Sequence, residues 1–148
     1  MIGENLSQPS VDAKAGLLNR HCGSDGKDYV YVQASGAIAQ YDIVAIDEAG
    51  QAAKVTKALA DDGYKIAVAQ SAFADDEYGY VQVKGVVSIN VLANCAADVA
   101  LYTSATAGSL DDTDTSQTKI LGLVATAAAG GSPAAVAGWM ANDPIADL

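Results

Sequence analysis

Apolar and polar residues alternate from Tyr80 to Leu92. Val81, Val83, Gly85, Val87, Ile89 and Val91 fall on one side of an extended chain. Gln82, Lys84, Val86, Ser88 and Asn90 fall on the other. A period of two belongs to a strand and no helix satisfies it, so the pattern predicts one long β-strand. Gly85, in its middle, predicts a bulge or a bend. A strand of this length usually bends and serves two sheets or a barrel wall.

Shorter runs rich in Val, Ile and Tyr surround it. Tyr29–Gln33 is a first strand. Asp42–Ile46 is a second, closed by Asp47-Glu48-Ala49-Gly50, and Gln51–Thr56 is its hairpin partner. Lys57–Ala60 predicts a single helical turn. Tyr64–Ala69 follows the turn Asp61-Asp62-Gly63. After the long strand come Val99–Thr103, Ile120–Ala125 and Ala135–Met140. Ala127–Pro133 contains Gly130, Gly131 and Pro133, which break a helix, so it predicts a hairpin loop. Strands at a spacing of about 8–12 residues, with no strand–helix alternation, predict an all-β fold. The architecture expected is a small antiparallel β-sandwich or β-barrel over residues 29–148.

Residues 1–28 differ in texture. They are polar, with Pro9 and the patch Gly23-Ser24-Asp25-Gly26, and carry only a few apolar side chains: Ile2, Leu6, Val11, Leu17 and Leu18. Val11–Asn19 has the length of two helical turns, with Ser10 placed as an N-cap. The segment reads as an extended N-terminal arm, and its composition fits a frayed terminus equally well.

Composition sharpens this picture. A chain of 148 residues is one domain and can bury a core without a disulfide or metal staple. Apolar residues make up 51% of it but aromatics only 6%, so the core is built from small side chains. Such a core gains from oligomerisation. The net charge of −10, with eight scattered basic residues, argues against nucleic acid and anionic membranes as partners. It suits a partner with basic patches. Two distant cysteines, Cys22 and Cys95, allow one bridge, but two free thiols in an intracellular folding compartment are expected. The opening Met1–Asn5 has no apolar run behind it, so no signal peptide is expected. No stretch approaches the roughly 18 apolar residues of a membrane helix.

Candidate chemistry is sparse. His21 and Cys22 are adjacent, and neighbours in an extended chain point oppositely, so they cannot act together on one atom. Three Cys and His residues in all fall short of a zinc site. Asp75-Asp76-Glu77 and Asp111-Asp112-Thr113-Asp114 lack the ligand spacing of a calcium loop and read as solvated turns. No phosphate loop or nucleophile elbow is present. The expectation is no catalytic, cofactor or metal residue, and no cofactor. Trp139, with Met140 beside it in an apolar terminal strand, reads as core or interface packing.

The order of segments resembles the small capsid-decoration, or head cement, proteins of tailed bacteriophages. The resemblance runs through Tyr41–Gly50, Lys65–Ala69, Gly79–Val87, Val99–Ser104, Gly108 ahead of Ser109-Leu110, and Ile120–Val124. It covers roughly Tyr29 to Asn142 and rests on strand and turn order. Such proteins often place Gly before the residues equivalent to Asp42 and Val99, where this chain has Tyr41 and Asp98. The resemblance implies a β-tulip-like fold and a structural virion protein on the outer capsid surface, made in the host cytoplasm. It implies the major capsid protein, the chain itself as a homotrimer, and neighbouring trimers as partners. Ile2, Leu6, Val11, Leu17 and Leu18 would then contact the capsid or a neighbour. Two other readings stand beside it. One is a β-sandwich binding module of fibre, adhesin or carbohydrate-binding type, which predicts an exposed aromatic or metal site. The other is a small hydrolase with carboxylates that the sequence does not single out.

Overall fold

The computed structural model describes residues 9–12 and 16–148. In chain order the elements are β1 (Arg20–Cys22), β2 (Asp28–Ala34), β3 (Ile43–Ile46), β4 (Gln51–Lys54), α1 (Lys57–Asp61), β5 (Lys65–Val68), β6 (Tyr78–Val91), β7 (Leu101–Thr103), β8 (Leu110–Asp111), β9 (Lys119–Ala125) and β10 (Ala134–Ala146). The fold is all-β, as alternation and turn spacing predict, and it contains a closed barrel.

Strands β2, β4, β3, β5 and β6 form a ring that closes where β2 pairs with β6. β6 then continues past Gly85 and pairs with β10. From there β9, β7 and β8 lead back to β6 through Val91 and Leu110. β6 is thus a wall common to two five-stranded rings. Chain direction reverses across every antiparallel pair, so a closed ring must contain an even number of such pairs. Five strands therefore force an odd number of parallel pairs per ring, and each ring has one. Those pairs are β2–β4 and β6–β8, the two departures from the antiparallel pairing expected.

The core follows the rings. Val30, Val32, Val44, Ile46, Ala67, Val81 and Val83 belong to one cluster. Ile43, Ile66, Val68, Val87, Ile89, Leu101, Leu123 and Met140 belong to the other. β3 is buried on both faces, which is why Ile43-Val44-Ala45-Ile46 reads as an unbroken apolar run rather than an alternating one. The change of cluster along β6 falls at Gly85, whose φ is +98°. A Cβ there would lie 2.8 Å from the Gly26 carbonyl oxygen, so the close approach requires glycine. The β2–β6 register slips by one residue beside it. Buried Gln82 donates through Nε2 to the carbonyls of Lys84 (2.9 Å) and Val86 (2.7 Å), pinning the backbone on both sides of the bend.

Several boundaries shift. Val99 and Ala100 precede β7 rather than opening it. β10 runs beyond Met140, because after a register break it resumes pairing at Ile145 and Leu121. Tyr41 (φ +70°) and Asp98 (φ +58°) adopt the left-handed conformation that glycine fills in the resembling pattern. β1 and β8 were not expected, being too short for periodicity to register.

Of the segment 1–28, Ile2 and Leu6 lie outside the described residues, as do residues 13–15 of the expected helix. Val11, Asp12 and Gly16–Asn19, on either side, are bends, turns or irregular. The other described residues of the segment run along the barrel. Ser10 bridges to Tyr78 through paired backbone hydrogen bonds of 2.7 and 2.6 Å. Leu17 packs against Gly50, and the Leu18 N–H donates to the Tyr31 carbonyl. β1 pairs antiparallel with β2.

Candidate functional site

The surface feature that stands apart is centred on Trp139. β10 alternates across the sheet, so adjacent residues part company. Met140 is fully buried in the core, whereas Trp139 is 49% exposed on the outer face. Pairing sets Trp139 between Val86 on β6 and Val124 on β9. Val86 is 63% exposed. A shallow groove of about 350 Å³ beside the indole is lined by Val99, Lys119, Leu121, Val124, Trp139 and Ala141, among others, and no acidic residue lines it. A clustered apolar face of this kind, unlike scattered exposed side chains, marks an interaction surface.

Charge adds to the distinction. Arg20, Lys54, Lys57 and Lys65 each pair with an aspartate. Lys119 lines the groove, and Lys84 and Val86 are both exposed on β6. Neither lysine makes an ion pair among the described residues.

The sequence placed Trp139 and Met140 together in core or interface packing, and the two residues divide those roles. It did not select Val86, Leu121 or Lys119. The signal for Val86 was present: it is the valine on the polar side of the alternating strand, out of phase with its neighbours Lys84 and Ser88.

The other candidate groups lie elsewhere in the fold. Cys95 is buried and Cys22 exposed, and both are free thiols. The thiol of Cys95 lies with the carboxylates of Asp111 and Asp112, all within 4.8 Å of one another. The Asp112 carboxylate is already used, accepting the Ala96 N–H at 2.9 Å and tying the loop after β6 to β8. Burial pushes the Cys95 thiol up to about 11, with Asp112 and Asp111 adding to the effect, so it carries its proton at neutral pH. Asp75 accepts the Gly36 N–H, tying two loops together, and Glu77 accepts the Ala74 N–H as a turn cap. His21 packs edge-on against Tyr80 at 6.2 Å. Of the apolar residues expected to make contacts, Val11 and Leu18 are exposed and Leu17 is half-buried. They sit away from the Trp139 groove, on the strap along the barrel.

A second groove, of about 390 Å³, opens at one end of the barrel between Leu18, Val30, Ile46, Glu48 and Tyr64. The hydroxyl of Tyr64 is raised in pKa chiefly by Glu48, with burial, Asp62 and Asp47 contributing. No helix among the described residues is long and apolar enough to cross a membrane.

No protein-family model matches the chain, and no curated protein sequence matches it either.

Proposed function

We propose that the chain is a structural virion protein of a tailed bacteriophage. In this reading it binds the outer surface of the expanded capsid and stabilises the shell, as a homotrimer made in the host cytoplasm. Its partners are the major capsid protein, its own copies and neighbouring trimers. The order of strands and turns supports the family reading. The observation that carries a docking role is the Trp139 face. It is an exposed indole flanked by exposed or half-buried apolar side chains on rigid, paired strands. Docking surfaces built on sheets keep their geometry on binding, so little ordering cost offsets the contact. Repetition over a shell multiplies a modest contact into strong attachment. Co-sedimentation of the purified chain with expanded capsids of its phage tests the reading. Saturable binding that raises the capsid's resistance to heat is expected; failure to sediment with the shell would overturn it.

The same indole favours a second reading, a β-barrel binding module that stacks a sugar ring on Trp139. A glycan panel monitored by tryptophan fluorescence tests it, because the chain holds a single tryptophan. Quenching or a spectral shift by one glycan class would support that module over the virion protein.

A further inference from the structure

We propose that the groove at the end of the barrel seats an arginine side chain carried on a segment of another protein. This groove, of about 390 Å³, shares no residue with the Trp139 face, and its occupancy does not depend on the virion reading. Buried Val30 of β2 and Ile46 of β3, with exposed Leu18, make up its apolar part. Asp47 and Glu48 come from the turn after β3, and Gly63 and Tyr64 from the residues before β5. A mouth of this size holds one long side chain together with the backbone on either side of it.

Charge selects a cation. The chain carries 18 acidic residues against eight basic ones, so its field draws basic segments in. That field gathers at the groove, where Glu48, Asp62 and Asp47 all bear on the Tyr64 hydroxyl. Lys65, the basic residue of the lining, is already engaged with Asp143 at 3.1 Å. Asp47 is committed as well, accepting the Ala49 and Gln51 N–H groups through Oδ1 at 2.9 Å each. Glu48 is exposed and makes no hydrogen bond or ion pair among the described residues, so its carboxylate is left for a ligand.

Shape selects arginine among cations. Its planar guanidinium can stack on the Tyr64 ring while two N–H groups fork to the Glu48 carboxylate, which the point charge of lysine cannot do. Its methylene stem covers the apolar surface of Val30, Ile46 and Leu18. A small inorganic cation leaves that surface wet.

Amide NMR spectra of the chain, titrated with a blocked glycine–arginine–glycine peptide, test the proposal. Saturable shifts centred on Ile46, Glu48, Tyr64 and Lys65 are expected, and binding should weaken as salt is raised. The same peptide with lysine should bind at least about threefold more weakly, and with uncharged citrulline at least about tenfold. Glu48→Gln should cost about tenfold, and it keeps the fold because Glu48 is exposed and outside its hydrogen bonds. Tyr64→Leu retains apolar bulk without the stacking face and should cost severalfold. Trp139→Ser should bind the peptide as the wild type does. Shifts spread evenly over the acidic surface would overturn the proposal, as would no saturable shift at all. So would lysine or citrulline peptides that bind as well as arginine, or wild-type affinity in Glu48→Gln.

Discussion

Asp42 and Gly108 are in contact through an atom that glycine lacks. A Cβ on Gly108 would stand 2.7 Å from the Asp42 carboxyl carbon. That carboxylate cannot swing away. It accepts the Ala39 N–H and the Asn90 side-chain amide at 2.9 Å each, with Lys54 at 3.4 Å. Gly108 is fixed as well, accepting from the Ile43 N–H and donating to the Val55 carbonyl, with φ at +83°. Gly108→Ala combines a left-handed alanine with this collision and should cost about 2 kcal/mol or more, read from the midpoint of a urea titration. An unchanged midpoint would show that the Asp42 site yields easily.

Neighbouring residues on β10 should respond oppositely to truncation. Met140→Ala empties a fully buried position and should destabilise the fold by about 2–5 kcal/mol. Trp139→Ser alters an outward face and should change the stability of the isolated chain by no more than about 1 kcal/mol. Equal losses in thermal denaturation would mean that Trp139 is core, against its exposure.

Acid should loosen one ion network. Arg20 donates to Asp28 and, at 2.8 and 3.0 Å, to Asp143; Lys65 reaches Asp143 at 3.1 Å. Burial by itself would raise the Asp143 pKa, but Arg20 and Lys65 outweigh it and hold the carboxyl below its ordinary value. A lowered native pKa stabilises the fold above the unfolded value of about 3.9, and that contribution is lost as pH falls through the native value. Asp143→Asn suits the left-handed backbone at this position (φ +41°) and should flatten the stability curve below about pH 4. The slope there should stay unchanged if Asp143 were unpaired in solution.

The two thiols should separate by rate. At mildly alkaline pH a colorimetric thiol reagent should titrate exposed Cys22 promptly. Cys95, buried and pushed up to about 11, should react only on unfolding. Rapid reaction of both in the native state would contradict the placement of Cys95 in the core.

The sequence made the strands legible wherever period-two alternation or an unbroken β-branched run extended over four residues or more. It also located Gly85 as the bend and Lys57–Ala60 as the helical turn. Ring closure was not legible. The pairs that close the rings, such as Val30 with Val81 and Val91 with Leu110, join residues far apart in the chain, and periodicity carries no information on partners. β8 escaped because two residues make no pattern. The Trp139 face was half legible. Trp139 drew notice, but whether it or Met140 faced outward depends on register, and a shift of one residue exchanges them.

The shared strand has a consequence for how the molecule comes apart. A barrel with its own walls can melt while its neighbour persists. Here β6 supplies one wall of each, so losing it opens both rings at once. Heating should therefore give a single calorimetric transition whose van't Hoff and calorimetric enthalpies agree. Refolding should be slow, because neither ring closes until distant parts of the chain have met on the same strand. The bend at Gly85 thus joins two small cores into one unit of stability that neither would reach alone.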